Sequence, residues 1–444
     1  MRATSGPILP LVMQIAVPAG LGMLFQTLFN VVDSYFAGWI STEALTALGA
    51  SFPVYFVLIA LLVGLGQATT ALMSNALGEG DEPMARRIFV QAVLATLAMG
   101  ILLALFGLVA VEPLLRLLGV RGESVALGRA YLVPIMLTSA LFVANATVNA
   151  FLTCQGDARS YRNALLFGVL LNVALDPLFI FGAGPLPGLG VLGIALSTIL
   201  IQALQLLYLL HRLRHSPLGR ACGWFALRFE PRVMAALLRQ AVPTTATMAI
   251  TGIGLFAITF FMGRHGEAAV AAYGVALRIE QLVMLPMIGL TTAALTLVGQ
   301  NHGARLPDRV RQVTRTVMLL ALAIMSLGAL LVWPLRETLM GLFSDDAEVI
   351  RLGAAYLAVA VLIFDAYALL AVGFAVLQGL KRPVFAMYVG LFRHVLGPLM
   401  VLSLLDPVLG FGLAGIYWGI AGVAWLGGLA TLLYLMRRLR ALNA

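Results

Sequence analysis

Two acidic residues, Asp33 and Asp176, lie within long apolar segments of the sequence. Asn30 comes three residues before Asp33, and Asn172 comes four residues before Asp176. In a helix, these spacings put each amide on the same face as its acid. A charged side chain at the centre of a membrane helix costs at least about 2.5–3.5 kcal/mol, so acids there usually face an ion or substrate pathway. The spacing therefore predicts a cation- or proton-binding site around Asp33 and Asp176.

The oxygen atoms of this group suit two kinds of chemistry. Hard cations such as Na⁺ take oxygen ligands, which carboxylates and amide carbonyls supply, and Asn30 could join such a site or hold Asp33 by a hydrogen bond. The two carboxylates could instead share one proton, because like charges close together oppose each other's ionisation. A purely structural role, in which both acids only tie helices together, is the weaker interpretation because a charge in the membrane is costly.

Further polar or adaptable side chains lie in apolar segments and could form a second ion site or a substrate cavity. They are Glu280, Asp365, Arg278, Asn145, Asn149, Tyr367, Met284 and Met287. For Glu280, an ion pair with Arg393 or a capping role is an equally good interpretation. The asparagines could bond neighbouring helices instead of lining a cavity, and the methionines could simply pack or face lipid.

Motifs of metal enzymes and nucleotide-binding proteins are not found in this sequence. The five histidines are scattered, and the glycine motifs lack the lysine that a phosphate-binding loop requires. The sequence therefore predicts a protein that is not an enzyme, has no cofactor and holds no metal other than Na⁺ at the acidic site. The expected coupling ion is H⁺, Na⁺ or both.

The composition is that of a polytopic membrane protein. Of the 444 residues, 61% are hydrophobic and only 11% are charged, whereas soluble domains carry about 25% charged residues. The long apolar runs exclude a buried soluble core as the main interpretation. The formal charge of +9 is then better explained by membrane topology than by binding to nucleic acid, and the expected surrounding is the lipid bilayer.

Hydrophobic runs predict an all-α fold with twelve transmembrane helices. The predicted spans are residues 9–37, 48–77, 88–111, 127–153, 161–182, 190–211, 234–263, 270–301, 312–334, 350–377, 384–405 and 411–436. Several spans exceed the roughly 20 residues needed to cross a bilayer, so we expect tilt or bending. Most basic residues fall in alternate loops, and the positive-inside rule then predicts that both termini are cytoplasmic.

The two halves of the chain repeat each other weakly. One constant offset aligns Pro18 with Pro243 and Gly64 with Gly289, and a slightly shorter offset aligns Gly156 with Gly379. The identity is low, but the matches keep their order and spacing across the halves. The repeat indicates two structurally similar halves with six spans each.

This repeat predicts three parts of the chain. They are an N-terminal six-helix bundle at residues 1–211, a basic cytoplasmic linker at 212–233 and a C-terminal six-helix bundle at 234–444. The linker could form a short amphipathic helix on the membrane surface. Parallel repeats are related by an axis along the membrane normal, so we expect the substrate to bind between the bundles.

Several segments together are similar to the multidrug and toxic compound extrusion (MATE) family of transporters. In the first half they are Gln26-Thr-Leu-Phe-Asn-Val-Val-Asp33, Ala47-Leu-Gly-Ala50, Leu171-Asn-Val-Ala-Leu-Asp-Pro177 and Gly193-Ile-Ala-Leu-Ser-Thr198. In the second half they are Ala272-Tyr-Gly-Val-Ala-Leu-Arg-Ile-Glu280, Leu297-Val-Gly-Gln-Asn-His-Gly-Ala304 and Phe364-Asp-Ala366. Each segment alone is a weak signal, but their order on repeated spans is specific.

Within the family, the chain most resembles the DNA-damage-inducible-protein-F type, which carries an acid in its first helix. In the sister group typified by norfloxacin-efflux pumps, an acid is expected in helix seven, where residues 241–263 of this chain have none. Asp365 in helix ten nevertheless matches an acid associated with cation binding in that sister group. The resemblance leaves a C-terminal site open and implies an N-terminal cation site, whose residues are Asp33, Asn172, Asp176 and Thr198.

The resemblance also implies how such a protein would work. The implied fold is a V-shaped pair of bundles in a bacterial inner membrane, and we expect a monomer. The implied function is secondary antiport, in which amphipathic organic cations or drugs leave in exchange for H⁺ or Na⁺. The alternative is a flippase for a lipid-linked substrate, which would need a basic central cavity. Once the arginines near span ends are assigned to the adjoining loops, two bases, Arg278 and Arg393, remain within the spans against four acids, and this balance favours cationic cargo.

Overall fold

The computed structural model describes residues 4–117, 120–184, 186–220 and 228–443. The helices that precede the linker or begin it are α1 (Ile8–Ile40), α2 (Thr42–Gly78), α3 (Glu82–Leu117), α4 (Glu123–Leu137), α5 (Ser139–Cys154), α6 (Arg159–Phe181), α7 (Val191–His215) and α8 (Pro217–Arg220). A short antiparallel pair, β1 (Gly182–Ala183) and β2 (Leu186–Pro187), turns the chain between α6 and α7.

The helices after the linker are α9 (Pro231–Gly263), α10 (Glu267–Gly303), α11 (Pro307–Gly341), α12 (Ala347–Ala360), α13 (Phe364–Gly379), α14 (Val384–Leu391), α15 (Gly397–Ser403) and α16 (Gly412–Arg440). Irregular helical turns join or follow some of them: 3₁₀ turns at Val361–Ile363 and Ala441–Asn443, and π turns at Phe392–Leu396 and Leu404–Val408. Helices dominate because hydrocarbon offers no hydrogen bonds, so the backbone must satisfy its own polar groups.

Eleven helical stretches in the described part of the chain are long and apolar enough to cross a membrane. A twelfth span is obtained when α4 and α5 are counted together, since they meet at a bend of 50°. At the bend, the backbone N–H and the hydroxyl of Thr138 both donate to the carbonyl of Pro134. The prediction of an all-α protein with twelve membrane spans is confirmed, and the fourth predicted span is bent.

Contacts divide the chain into two compact units, of which the first is Leu21–Thr245. In this unit α2, α3, α4, α5 and α7 pack around apolar side chains that include Leu58 and Leu132. Gly100 on α3 lies so close to Ala140 on α5 that an added methyl group would overlap it. Small residues at such crossings let helix backbones approach and gain packing contacts within the membrane.

The second unit consists of the chain from Ala246 onward and the first part of α1, up to Gly20. Helix α10 packs against α11, α12 and α13, and α13 packs in turn against α16. Gly373 on α13 faces Thr431 on α16 without room for a methyl group between them. This unit is therefore also held together by close helix crossings at small residues.

Two helices contribute to both units. The first part of α1, up to Gly20, belongs to the second unit, and the first part of α9, up to Thr245, belongs to the first unit. The predicted bundles at residues 1–211 and 234–444 keep each of these helices whole. Compared with those bundles, the two units exchange the first parts of α1 and α9. The changes come after Gly20 and after Thr245, and the offset that aligns Gly64 with Gly289 also aligns these two positions.

Two glycines account for the packing of the exchanged half-helices. In the second unit, Gly289 on α10 lies directly against the backbone of Ala16 on α1, and a methyl group there would overlap the Ala16 carbonyl oxygen. In the first unit, Gly64 on α2 lies close to Thr245 on α9, and a methyl group there would overlap the Thr245 side-chain hydroxyl. The sequence alignment of Gly64 with Gly289 thus marks the same close approach in both units.

The predicted linker at residues 212–233 is described only in part. Helix α7 continues to His215, and α8 follows as a single helical turn. Residues 221–227, on which part of the expected amphipathic surface helix would fall, lie outside the described residues. Further along, the side chain of Gln91 on α3 bonds to the backbone of Arg228 and Glu230, which fixes the chain before α9 begins.

Substitution of Gly289 by alanine tests the close approach of α1 and α10. The added methyl group would meet a backbone oxygen that cannot rotate away, so we expect Gly289→Ala to destabilise the protein by about 1–3 kcal/mol. Gly274→Ala is the matched control, because it lies on the same helix and nothing lies within 4 Å of a methyl group there. Thermal unfolding of both variants in the same detergent measures the difference, and equal midpoints would contradict the packing argument.

Candidate functional site

Three helices of the first unit bring the acids of the predicted N-terminal site together. Asp33 lies on the second part of α1, Asn172 and Asp176 lie on α6, and Thr198 lies on α7. All four side chains are buried. Residues that are far apart in the sequence are thus gathered in one unit.

Helices α6 and α7 can approach closely because glycine stands at their contacts. Gly168 on α6 lies against Gln205 on α7, and Gly193 on α7 lies against the backbone of Phe179 on α6. A larger side chain at either position would push the helices apart. The close approach places Asp176 beside the second turn of α7.

The amide of Asn172 joins the two carboxylates. Its Nδ2 atom donates one hydrogen bond to Asp33 Oδ1 and one to Asp176 Oδ1, each 2.9 Å long. An amide nitrogen carries two hydrogens, so both are used here. The opposite orientation of the amide would set its oxygen against both carboxylates. Asn172 therefore fixes the two acids relative to each other across α1 and α6.

A serine that the sequence analysis did not single out also contacts Asp176. Ser197 on α7 donates its hydroxyl proton to Asp176 Oδ1, and the same hydroxyl oxygen lies 3.0 Å from the carbonyl oxygen of Ile194. A hydroxyl has one proton, so it donates to only one of these oxygens at a time. The sequence carries no signal that singles out Ser197, because a helical serine can equally satisfy its hydroxyl on the backbone of its own helix.

Three oxygen atoms of the site are buried without a hydrogen-bond partner among the described residues. They are Asp176 Oδ2, Asn172 Oδ1 and Thr198 Oγ1. Leaving a buried polar group unpaired costs about 1–3 kcal/mol, so each such atom in a native fold calls for an explanation. A carboxylate, an amide carbonyl and a hydroxyl are ligands that hard cations accept, and a carboxylate also binds a proton. The residues present therefore fit either ion.

An apolar layer lies one helical turn from the site on all three helices. Ala37, Ile180 and Ile194 form a buried cluster, with Phe36 and Tyr131 packed against it. Each member of the cluster stands four residues from the acid or hydroxyl on its own helix. Apolar side chains exclude water on this side of the site, and charges interact more strongly in such a low-dielectric setting.

The other predicted residues of the first unit lie apart from this group. Asn30 is exposed, and in the described part of the chain no hydrogen bond joins its side chain to the acids. Asn145 donates to the backbone oxygen of Gln202 at 3.0 Å and to its amide oxygen at 2.7 Å. Asn149 accepts a hydrogen bond of 3.0 Å from Thr153 on the same helix. Asn145 thus bonds a neighbouring helix, and Asn149 bonds its own.

In the second unit, Glu280 is buried on α10 beside Tyr367. The Tyr367 hydroxyl donates to Glu280 Oε2 at 3.4 Å, whereas Oε1 has no partner among the residues that the structure describes. The guanidinium of Arg393 lies over the Tyr367 ring, 4.5 Å from its centroid, in a cation–π contact. Within the described residues, Glu280 and Arg393 are therefore connected through Tyr367 and form no direct ion pair.

The remaining candidates of the second unit do not join Glu280. Asp365 is half-buried and accepts the hydroxyl of Ser326 at 3.0 and 3.2 Å. Arg278 is exposed. Met287 is buried and Met284 is half-buried, so these two methionines do not form a continuous exposed surface.

Comparison with known proteins identifies relatives along most of the chain. The MatE family model matches residues 18–178 and 243–402. An FAD transporter from Shewanella oneidensis is 29% identical over 92% of this chain and 91% of its own length. The multidrug export protein MepA from Staphylococcus saprophyticus is 25% identical over 96% of this chain and 93% of its own length. The probable multidrug resistance protein YoeA from Bacillus subtilis is 26% identical over 75% of this chain and 73% of its own length.

Solved structures share the fold over the whole chain. A MOP superfamily transporter from Pyrococcus furiosus superposes with a TM-score of 0.92 at 23% identity and covers 100% of this chain and 98% of its own. A multidrug resistance MATE family transporter in an outward-facing conformation gives a TM-score of 0.91 at 24% identity, with the same coverage. At these identities the likeness concerns the fold, and the prediction of a MATE-like helical fold is confirmed.

These matches also confirm the general class of the protein. MATE proteins are transporters that use ion gradients for coupling, so the prediction of a multi-pass membrane transporter that is not an enzyme is confirmed. The resemblance to the DNA-damage-inducible-protein-F type stays a prediction. Because the MatE model matches both repeats and most of the sequence, the chain belongs to the MATE family.

Proposed function

We propose that the chain is a secondary antiporter that exports amphipathic organic cations in exchange for H⁺ or Na⁺. The observation that carries this proposal is the buried pair of carboxylates, Asp33 and Asp176, held by one amide, that of Asn172. The multidrug function named for MepA supports drug-like cargo. Four acids against two bases, Arg278 and Arg393, once the arginines near span ends are assigned to the loops, support cargo with a positive charge.

A cation at this pair would lower the free energy of keeping two carboxylates in hydrocarbon. Without it, the two like charges repel each other in a low-dielectric site. Na⁺ would be held by the unpaired oxygens of Asn172, Asp176 and Thr198, whereas a proton would bind a carboxylate. Either ion changes the charge of the site, and it shifts the balance between conformations if it binds one of them better. The export of substrate is then coupled to ion entry.

The Ser197 hydroxyl can stay hydrogen-bonded to Asp176 in both protonation states of the acid, so the side chains around them need not repack. While Asp176 is ionised, the Ser197 hydroxyl donates to it. Once protonated, Asp176 can donate to Ser197 Oγ, and the hydroxyl proton can turn to the carbonyl of Ile194 at 3.0 Å. The contact is hydrogen-bonded in both states, so proton exchange would leave α6 and α7 in place.

The Thr198 hydroxyl would give the site one further ligand if the coupling ion is Na⁺. Other helical threonines, such as Thr69 and Thr147, donate to the carbonyl four residues earlier on their own helix. The buried Thr198 hydroxyl has no such partner among the described residues. A proton on a carboxylate does not need this oxygen, whereas Na⁺ would use it as a ligand.

In the second unit, we propose Glu280 as a second protonation or substrate-charge site. Its buried Oε1 atom is without a partner in the described part of the chain, as are the Asp176 Oδ2, Asn172 Oδ1 and Thr198 Oγ1 atoms of the first site. Asp365 and Arg278, with Met284 and Met287, remain proposed residues of the substrate cavity. Asn145 and Asn149 keep the same proposed role in the first unit.

The proposed location is a bacterial inner membrane with both termini in the cytoplasm. The loops that would then be cytoplasmic carry most of the basic residues, as the positive-inside rule requires. The named relatives come from Shewanella, Staphylococcus and Bacillus. A monomer remains the proposed working state.

Asp33→Asn tests the coupling at the carboxylate pair. The substitution keeps the shape of the side chain but removes its charge and its ability to bind an ion, so we expect gradient-driven efflux to fall by about tenfold or more. Ser34→Ala is the matched control, because this exposed neighbour bonds only to the backbone oxygen of Asn30, at 2.9 Å. The assay follows a fluorescent organic cation in proteoliposomes under an imposed pH or Na⁺ gradient.

The same assay separates this proposal from its alternatives. Efflux by Asp33→Asn at the wild-type rate would contradict coupling at this pair. FAD serves as a second cargo, because a relative is an FAD transporter; movement of FAD but of no organic cation would replace the proposed substrate class. No movement of either cargo under either gradient would favour the flippase for lipid-linked substrates.

The Thr198→Val variant tests whether Na⁺ binds at the site with the Thr198 hydroxyl as a ligand. Valine has nearly the same shape but lacks the unpaired oxygen, so we expect about tenfold more Na⁺ to be needed for the same rise in the unfolding temperature. Thr46→Val is the control, because that hydroxyl is exposed and bonds to its own helix. If Na⁺ does not stabilise wild type, the coupling ion is H⁺. If Na⁺ stabilises wild type and Thr198→Val equally, Thr198 is not a Na⁺ ligand.

A further inference from the structure

A cavity of about 530 Å³ opens in the first unit, where α3 ends and α4 and α7 begin. Three charged side chains and several apolar ones line it, among them Glu112, Arg116, Arg129, Ala126, Val133 and Leu192. Ligand sites of roughly 300–1,000 Å³ commonly combine apolar walls with a few polar groups. The cavity shares no lining residue with the carboxylate site, so it calls for an explanation of its own.

The three charged residues form one ion-paired group. Glu112 Oε1 accepts a hydrogen bond of 2.8 Å from Arg116, and its Oε2 accepts one of 2.9 Å from Arg129. A guanidinium has five N–H donors, so each arginine retains donors that bond to nothing else among the described residues. The exposed neighbours Arg121 and Glu123 carry opposite charges. The group therefore keeps an excess of positive charge.

This group is unusual among the ion pairs of the described residues, because one carboxylate contacts two arginines. The side chains of Arg116 and Arg129 are 67% and 60% exposed. Exposed ion pairs contribute only about 0–1 kcal/mol to stability. Stabilisation of the fold is thus a poor reason to gather two like charges around Glu112.

The second unit builds the same corner of its fold. The longer of the two offsets between the halves relates Gly128 on α4 to Gly353 on α12. A methyl group at Gly128 would overlap the side chain of Leu115, and one at Gly353 would overlap that of Met340. The same offset relates Leu115 to Met340. The helices at this corner therefore pack alike in both units.

The corner of the second unit lacks the arginine pair. Gly341 and Ala354 take the places of Arg116 and Arg129. Glu337 takes the place of the glutamate, is exposed, and forms no ion pair in the described part of the chain. Helix packing at the corner consequently does not need the two arginines, and they serve another purpose in the first unit.

The ion-paired group lies at the expected boundary of the hydrocarbon. Glu112 comes directly after the predicted span at residues 88–111, and Arg129 is the third residue of the predicted span at 127–153. Basic side chains at such a boundary lie within reach of lipid headgroups. The group is therefore placed to contact the membrane surface.

Apolar side chains continue from this group toward the hydrocarbon. On α4, Val133 lines the cavity one helical turn deeper than Arg129, and Pro134 lines it beside Val133. On α3, Leu108 lies one turn deeper than Glu112 and is 59% exposed. The cavity thus offers positive charge at the boundary and an apolar wall below it, which suits an amphipathic anion.

We propose that this cavity binds an anionic phospholipid of the adjacent leaflet. Its phosphate would bridge Arg116 and Arg129, because guanidinium groups bind phosphate through paired hydrogen bonds. Its acyl chain would lie along Val133 and Pro134. A cationic headgroup is disfavoured, since both oxygens of Glu112 already accept arginines. On the proposed topology, this is the leaflet opposite the cytoplasm.

The double variant Arg116→Gln/Arg129→Gln tests the charged part of the site, because it removes both charges and keeps side chains that can donate hydrogen bonds. Phosphatidylglycerol is titrated into protein held in phosphatidylcholine and detergent. We expect the variant to need about thirtyfold more phosphatidylglycerol than wild type for the same rise in unfolding temperature. High salt should weaken the wild-type response in the same direction.

A matched control separates the cavity from the overall charge. Arg336→Gln/Arg351→Gln removes two arginines from the corresponding corner of the second unit, and neither of them lines the cavity. This control should respond to phosphatidylglycerol like wild type. An equal loss in the control would mean that overall charge governs the response, and it would overturn the assigned site.

Ala126→Trp tests the cavity itself and replaces the glutamine variant if that one does not fold. The indole would fill the cavity from an exposed position on α4 and leave all three charges in place. We expect it to weaken the response to phosphatidylglycerol as the glutamine variant does. Ala355→Trp, at an exposed position on α12, should respond like wild type. A wild-type response of Ala126→Trp would contradict binding in the cavity.

Two further outcomes would also overturn the proposal. An unchanged phosphatidylglycerol requirement in Arg116→Gln/Arg129→Gln would mean that the arginines bind no lipid. Inorganic phosphate is added without phosphatidylglycerol in a parallel titration. If it stabilises wild type as strongly as phosphatidylglycerol does, the site recognises a free anion and not a membrane lipid.

Discussion

A carboxylate within hydrocarbon must find partners, and the first unit meets this requirement for two carboxylates at once. Asn172 uses both amide hydrogens to hold Asp33 and Asp176, so three helix positions are linked by one side chain. This sharing requires α1 and α6 to come close, whereas Gly168 and Gly193 let α7 approach α6 and bring Ser197 to Asp176. The helix crossings therefore follow from the need to hold buried charge.

The two units repeat their backbone contacts but not their chemistry. Gly64 and Gly289 mark the same close crossing in each unit, and the helix ends close with the same hydrogen bonds. The buried acid of the second unit, however, is approached by the ring hydroxyl of Tyr367, whose face carries the guanidinium of Arg393. A repeated scaffold thus supports an amide-linked acid pair in one half and an aromatic-linked acid in the other.

Much of this arrangement could be predicted from the sequence, because membrane physics leaves few choices. The lengths of apolar runs give the spans, and the cost of buried charge singles out Asp33 and Asp176. Ser197 could not be found in this way, since a serine can satisfy its hydroxyl on its own helix and leaves no mark in the composition. The spacing of three residues puts Asn30 on the same side of α1 as Asp33. It does not predict that the neighbouring helices cover Asp33 and leave Asn30 exposed. The exchange of half-helices depends on tertiary contacts that no local pattern contains.

The exchange of the first parts of α1 and α9 has a consequence for the order of events on the ribosome. Helix α1 is made before α10, and Gly289, on which the first part of α1 packs, is made more than two hundred residues later. At about 5–20 residues per second, that part of α1 waits for tens of seconds before its partner emerges. The first unit, by contrast, is complete once the chain has passed Thr245. The nascent chain can therefore close its first unit while the first part of α1 is still without its final neighbours.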